Sequence, residues 1–183
     1  MRERSKMSRR QFAASATSTA VAAVLTPSVK ADAQAGHAKE KTGGSAMATL
    51  TPYLLFDGCC REAMEFYRGC FGGELTAMQV KDSPAKAKMA DFQQERILNA
   101  HLKSGRVEIS ASDWLARDAK PALGNTVSMY LDGGSAADLR TAFERLSEGG
   151  EVRQPLQEMF FGTYGALTDR FGVRWMFHTS EKV

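Results

Sequence analysis

The chain has 183 residues, of which 43% are apolar and 25% charged, the balance of an ordinary globular protein. Its formal net charge of +3 is concentrated at the front: six of the 24 basic residues (Arg2, Arg4, Lys6, Arg9, Arg10, Lys30) and two of the 21 acidic ones (Glu3, Asp32) fall in the first 35, leaving 18 against 19. A body that close to neutral has no electrostatic footprint for nucleic acid, and that class of partner is excluded.

Residues 1–35 read as a targeting segment. A basic stretch from Arg2 to Arg10 precedes a weakly apolar run, Phe12 to Leu25, and then small-residue cleavage sites after Ala33 or Ala35. Ser8-Arg-Arg-Gln-Phe12 resembles the twin-arginine export motif, and Lys30 close to the cleavage site fits that route. The expectation is a signal peptide engaging the twin-arginine translocase transiently, and a periplasmic or secreted product. A disordered basic tail, or initiation at Met47, is the alternative. The apolar run is far short of the ~20 residues of a spanning helix, so no stable membrane anchor is expected. Residues 36–48, with Lys39-Glu-Lys-Thr-Gly-Gly-Ser45, form a polar linker.

The body, 49–180, is a duplication. Tyr53-Leu-Leu-Phe-Asp-Gly58, a helical run and Gly72-Gly-Glu-Leu75 recur as Ser128-Met-Tyr-Leu-Asp-Gly133, a helical run and Gly149-Gly-Glu-Val152. The spacing is too long for a solenoid and reads as one module used twice. In the first module (about 50–113) a strand at 52–56 leads to a helix from Cys60 to Phe71, with Cys60, Ala63, Met64, Tyr67, Cys70 and Phe71 on one stripe. A strand at 75–80 follows, then a polar loop at 81–96. A hairpin then sets Leu98, Ala100, Leu102, Val107, Ile109 and Ala111 against Asn99, His101, Lys103, Glu108, Ser110 and Ser112.

In the second module (about 124–178) a strand from Thr126 places Val127, Met129 and Leu131 opposite Thr126, Ser128 and Tyr130. Ser135, three residues before Asp138, starts a helix with Ala136, Leu139, Phe143 and Leu146 inward. Strands at 151–156, 163–168 and 173–177 complete it, with Arg174, Met176 and His178 opposite Val173, Trp175 and Phe177. The fold class is α+β: tandem βαβββ modules pairing into a curved mixed sheet around a groove, with helices on the dry faces and polar faces lining the groove.

This duplication resembles the vicinal oxygen chelate superfamily, the fold of glyoxalase I, bleomycin-resistance proteins and extradiol dioxygenases. The match is to its PhnB-like branch, whose members carry names borrowed from a demethylubiquinone methyltransferase. The residues that carry it are Pro52-Tyr-Leu-Leu-Phe56, Cys60-Arg-Glu-Ala-Met-Glu-Phe-Tyr67, Phe71-Gly-Gly-Glu74, His101 ahead of Ser112-Asp113, Leu146-Ser-Glu-Gly-Gly150, Pro155-Leu-Gln-Glu158, Phe160-Phe-Gly162 and Thr168-Asp-Arg-Phe-Gly-Val-Arg-Trp-Met176. The resemblance implies a homodimer and a ligand groove. It also implies four metal-ligand positions, which land by spacing on Pro52, Ser110, Thr126 and Met176. None offers an imidazole or a carboxylate, so no metal and no cofactor are expected there.

A displaced site from His101, Glu108 and His178 is the alternative, with a glyoxalase- or dioxygenase-type lyase or oxidoreductase activity. Ligand-binding residues are expected to be His101, Ser110, Thr126, Tyr130, Glu158, Phe160, Phe161 and Met176; catalytic residues are not identified, and the sequence leaves open whether any reaction occurs. Glu158 could accept a hydrogen bond, and Phe160 or Phe161 could stack on a planar ligand or plug the sheet end. Cys60 and Cys70, about 15 Å apart along one helix, cannot bridge and read as core. Cys59, at a helix N-terminus, is the expected exposed thiol.

Overall fold

Each of the two modules builds a four-stranded mixed sheet with the same strand order, as the duplicated pattern requires. The computed structural model describes residue 48 and residues 50–182, apart from 106, 118 and 119. The expected export segment and almost all of the linker lie outside the described residues. In the first module β1 (Tyr53–Phe56), α1 (Cys60–Phe71), β2 (Glu74–Gln79), β3 (Ile97–Ser104) and β4 (Val107–Asp113) form a sheet ordered β1-β4-β3-β2. In the second, β5 (Met129–Asp132), α2 (Ala136–Ser147), β6 (Glu151–Met159), β7 (Gly162–Thr168) and β8 (Arg174–Thr179) form a sheet ordered β5-β8-β7-β6. The first strand of each module runs parallel to the last and the other pairs are antiparallel. The two sheets remain separate.

The Gly-Gly pairs have a physical cause. Gly72 and Gly149 both take φ +72°, a left-handed conformation that stops each helix. A Cβ on the following glycine would collide with the end of the hairpin, 2.3 Å from the Lys103 carbonyl oxygen at Gly73 and 2.5 Å from that of Thr168 at Gly150. The first glycine turns the chain; the second lets helix exit and hairpin approach each other.

Helix starts are capped by carboxylates delivered from the last strand or just beyond it. Asp113, only 4% exposed, accepts from the Cys60 N–H at 3.0 Å and the Ile97 N–H at 2.8 Å. Glu181 accepts from the Ala136 N–H at 2.9 Å, while the Ser135 hydroxyl takes the Asp138 N–H at 3.1 Å. These contacts satisfy donors that a helix N-terminus leaves open.

One core serves both modules. Trp175 of β8 lies edge-on to Tyr67 of α1 with centroids 5.6 Å apart, and Phe171 packs on Phe56 and Phe66. At its centre Asp169, 4% exposed, accepts four hydrogen bonds: Tyr67 Oη and Trp175 Nε1 on Oδ2, both at 2.8 Å, and the Phe171 and Val173 N–H groups on Oδ1, at 2.9 and 3.0 Å. The Tyr67 donor comes from the first module and the rest from the second, so this carboxylate joins the halves. Burial above all, and then the Asp169 charge, pushes the Tyr67 phenol far above its ordinary range.

Some expected elements differ. Residues 126–128 precede β5: the ladder to β8 begins at Met129–Trp175, and Arg174 donates instead to the Asn125 carbonyl at 2.8 Å. Val127, expected inward beside Met129, is 77% exposed. Strand β6 continues to Met159, past Pro155; it is an edge strand with register shifts, where a proline is tolerated. Strand β2 stops at Gln79, one residue short of the expected end, and the loop that follows, 80–96, contains three short 3₁₀ turns, Val80–Asp82, Lys86–Lys88 and Asp91–Gln93, anchored by the buried Val80 and Ser83.

Candidate functional site

The face of each sheet turned away from the shared core carries its own side-chain cluster. On the first sheet, strand register puts Tyr53, Ser110, His101 and Thr76 in one row across β1, β4, β3 and β2. His101 Nδ1 lies 3.1 Å from the Ser110 hydroxyl, and its Nε2 lies 3.1 Å from a Glu108 carboxylate oxygen. Glu108, opposite Lys103 on the hairpin, is thus held by His101 instead of standing in solvent alone. A carboxylate, imidazole and hydroxyl in series can orient a ring and pass a proton, although this array lies on an open sheet face.

On the second sheet, Asp132 and Tyr164 flank His178 across β5, β8 and β7, and Tyr130 and Ala166 flank Met176 in the next row. His178 Nδ1 is 2.6 Å from Asp132 Oδ1, and its Nε2 is 3.3 Å from the Phe161 carbonyl oxygen. Both partners are acceptors, and only an imidazolium donates from both nitrogens. The Asp132 carboxylate first, and then the Phe161 carbonyl, accordingly holds the His178 pKa above its ordinary value. The same contact holds Asp132 below the usual carboxylate range. Tyr130 stacks on the imidazole at 6.4 Å and 21°, and Phe161 leans on it at 5.8 Å. His178, expected at a strand end with Met176 and Arg174, is the anchor of this cluster.

Between the modules lies a cavity of about 450 Å³. Its walls come from β1 (Leu54, Leu55, Phe56), the connection 120–128, the start of β5 (Met129) and the turn into β8 (Phe171, Gly172, Val173). Duplication explains its position: the first strand of each module is a sheet edge, and the segment joining the modules lies along it. Asp57, Cys59, Lys120, Thr126, Ser128 and Arg174 supply the polar atoms. Asp57 takes Lys120 on one oxygen at 2.9 Å and Arg96 on the other at 3.3 Å, and the Lys120 contact leads in holding its pKa below the ordinary range. The volume falls in the range of small-molecule sites, and the predominantly apolar wall is what such sites share.

The structure therefore distributes the expected ligand-binding residues among separate places. His101 and Ser110 meet on the first sheet; Tyr130, Phe161 and Met176 gather on the second; Thr126 lines the cavity. Glu158, one residue before the end of β6, makes an exposed pair with Lys182 at 2.6 Å, and Phe160 is 96% exposed at the β6–β7 tip, edge-on to Phe161. Sequence reasoning missed the pairing of Asp132 with His178 and the part played by 120–124, since neither has a periodic signal.

Cys59 is a correction. It is half-buried on the cavity wall, and burial followed by the Asp113 charge raises its pKa, outweighing the helix terminus. Burial pushes Cys60 up to about 12 and Cys70 up to about 11; both thiols lie in the core, as expected. Trp175 is core as well, whereas Trp114 is half-buried; its backbone N–H donates to the Phe56 carbonyl at 2.6 Å, while its indole N–H is buried without a partner among the described residues.

The four positions at which this architecture would place a metal do not fit one. The Pro52 carbonyl is occupied by the Ser110 N–H at 3.1 Å, the Ser110 hydroxyl faces His101, and Thr126 and Met176 offer a neutral hydroxyl and a thioether. The displaced set does not assemble either: His101 and Glu108 share one sheet, His178 pairs with Asp132 on the other, and among the described residues no three His, Cys, Asp or Glu side chains converge. Among the described residues no helix is long and apolar enough to cross a membrane.

Comparison with known proteins agrees with this architecture. Residues 49–177 match the Glyoxalase/Bleomycin resistance protein/Dioxygenase superfamily. Protein YjdN of Escherichia coli (strain K12) is 29% identical over 146 residues, 73% of this chain and 96% of that protein. The crystal structure of protein PA1353 from Pseudomonas aeruginosa shares 37% identity and superposes with a TM-score of 0.65, covering 75% of this chain and 100% of that one. A Bacillus cereus structure described as a putative 3-demethylubiquinone-9 3-methyltransferase, PhnB protein, shares the fold at 21% identity and a TM-score of 0.56, covering 72% and 99% of the two chains.

Proposed function

The chain belongs to the Glyoxalase/Bleomycin resistance protein/Dioxygenase superfamily, and from that premise we propose that it binds a small, partly apolar molecule without a catalytic metal, as a PhnB-like protein. The observation that carries this reading is the cavity of about 450 Å³ between the modules. Its apolar wall would supply most of the affinity, at roughly 25 cal/mol for each Å² removed from water, and its polar groups would fix orientation.

Binding needs no reaction. The Cys59 thiol at the wall is held protonated by its raised pKa, and the Asp57 carboxylate is already engaged by two cations, so neither is poised as a nucleophile or base. The absence of an imidazole or carboxylate at the four architectural metal positions supports the metal-free part of the proposal.

The test is a thermal-shift screen of small metabolites against the purified protein. A ligand that binds only the native state at one hundred times its Kd stabilises it by ~2.7 kcal/mol, and such a ligand is the expected outcome. If near-stoichiometric Fe, Zn, Ni or Mn co-purified and were lost on His101→Ala, a metal-dependent enzyme would replace this reading.

Two further parts of the proposal rest on other residues. Export by the twin-arginine route is supported by Arg9-Arg10 ahead of Phe12 and tested by cell fractionation of the Arg9→Lys/Arg10→Lys variant, which should stay in the cytoplasm. Homodimerisation is supported by the exposed apolar side chains on the two outer sheet faces, Tyr53, Leu55, Met78, Tyr130 and Phe161. Sedimentation equilibrium should give twice the chain mass; a monomer at every concentration would refute it.

A further inference from the structure

Three charged side chains line the cavity: Asp57, Lys120 and Arg174. The single carboxylate is doubly compensated, by Lys120 at 2.9 Å and by Arg96 at 3.3 Å. Arg174 spends one N–H on the Asn125 carbonyl, at 2.8 Å, and among the described residues no carboxylate lies within ion-pair distance of it. A guanidinium has five N–H donors in a planar fork, so most of its capacity is uncommitted. It is half-buried, and it stands beside an apolar wall made by Leu54, Phe56, Leu123 and Phe171.

Resting on the reading that this cavity is the binding site, we infer that its ligand is an amphipathic anion, with an apolar body against that wall and one carboxylate received by Arg174. The charges select this class. A cation would meet a local excess of positive charge, and a neutral apolar molecule would leave the Arg174 fork without a counter-charge. A carboxylate accepts two parallel N–H bonds from the fork, the geometry for which arginine is suited and lysine is not. Lys120 is secondary, because an anion must compete with Asp57 for it.

The probes are decanoate and decanol, a matched pair differing in the charged head, titrated calorimetrically into the purified protein at low salt and below micelle-forming concentrations. The expected result is that decanoate binds ~10-fold or more tighter than decanol, the value of one charge-assisted contact. That margin should collapse in Arg174→Gln, which retains an N–H for the Asn125 carbonyl, because decanoate binding weakens far more than decanol binding does. Asp57→Asn should widen it by releasing Lys120. In the unsubstituted protein the margin should shrink as salt is raised, which keeps the test independent of how the variants fold. Equal binding of the two probes would overturn the anion assignment and leave the cavity reading intact. Binding of neither, with no change in Tm, would overturn the cavity reading itself.

Discussion

The two modules are built alike and finished differently. Both stop their helices at a glycine with φ +72°, both press a second glycine against a hairpin carbonyl, and both cap the helix with a carboxylate from the chain's return. Yet the hairpin of the first module turns on Ser104-Gly105, whereas the corresponding turn of the second carries Asp169, which reaches into the core and binds Tyr67 of the first. The outer faces differ too: a His101–Glu108–Ser110 array on one, a His178–Asp132 ion pair roofed by aromatic rings on the other. Shared residues maintain the module, and unshared ones join the halves and furnish the surfaces.

Substitutions can break this comparison, beginning with the join. Asp169→Ala leaves the Tyr67 hydroxyl and Trp175 indole N–H buried without an acceptor, at ~1–3 kcal/mol for each. Urea unfolding should show a loss of several kcal/mol, larger than that of any substitution on an outer face; a loss below ~1 kcal/mol would mean that the halves are held by apolar packing alone. The glycine pairs come next. Gly73→Ala adds a carbonyl collision to a φ of +88°, whereas Gly150→Ala adds the collision without positive φ. Both should cost more than ~1 kcal/mol, Gly73→Ala the more; equal losses would place the whole cost in the collision.

Smaller effects sharpen the contrast. Gly69, exposed within α1 where a Cβ would meet nothing within 4 Å, should accept alanine with a gain of ~0.5–1 kcal/mol. Last is the His178 tether. Because its folded pKa is raised, its stabilisation is full below the free imidazole value of about 6.5 and is lost as pH rises through the higher folded value. Asp132, with a lowered pKa, contributes above its unfolded value of about 3.9 and loses that contribution as pH falls through its folded one. Thermal melts across the upper window should show a small decline that His178→Gln removes; the same decline in the variant would assign it to another group.

Much of the scaffold was legible in the sequence because it is periodic or punctuated. The stripe Cys60, Ala63, Met64, Tyr67, Cys70 and the alternation through Arg174–Thr179 appear in the fold as read. The faces of the sheets followed from the same parity, which is how His101 and Ser110 were placed together. What was not legible depends on where non-periodic segments travel. Val127 continues the alternation of Met129 and Leu131 in sequence, yet Arg174 bonds the Asn125 carbonyl and the strand begins later. Asp132 and Phe161, far apart in the chain from each other, meet only through His178. Lys120 to Gly124 carry no periodic signal, and it is their course along β1 that makes a cavity wall.

Ligand binding as proposed depends on that cavity above all. Thr126 lines it from outside any strand, so Thr126→Trp should reduce its volume while leaving both sheets intact. The decisive measurement is the Tm rise given by a saturating small-molecule ligand in the unsubstituted protein and in Thr126→Trp, with circular dichroism confirming that the two fold alike. The account predicts a rise of several degrees, as a few kcal/mol of linkage gives in a domain of this size, and its loss in the filled variant. An equal rise in both proteins would place the ligand elsewhere and contradict it.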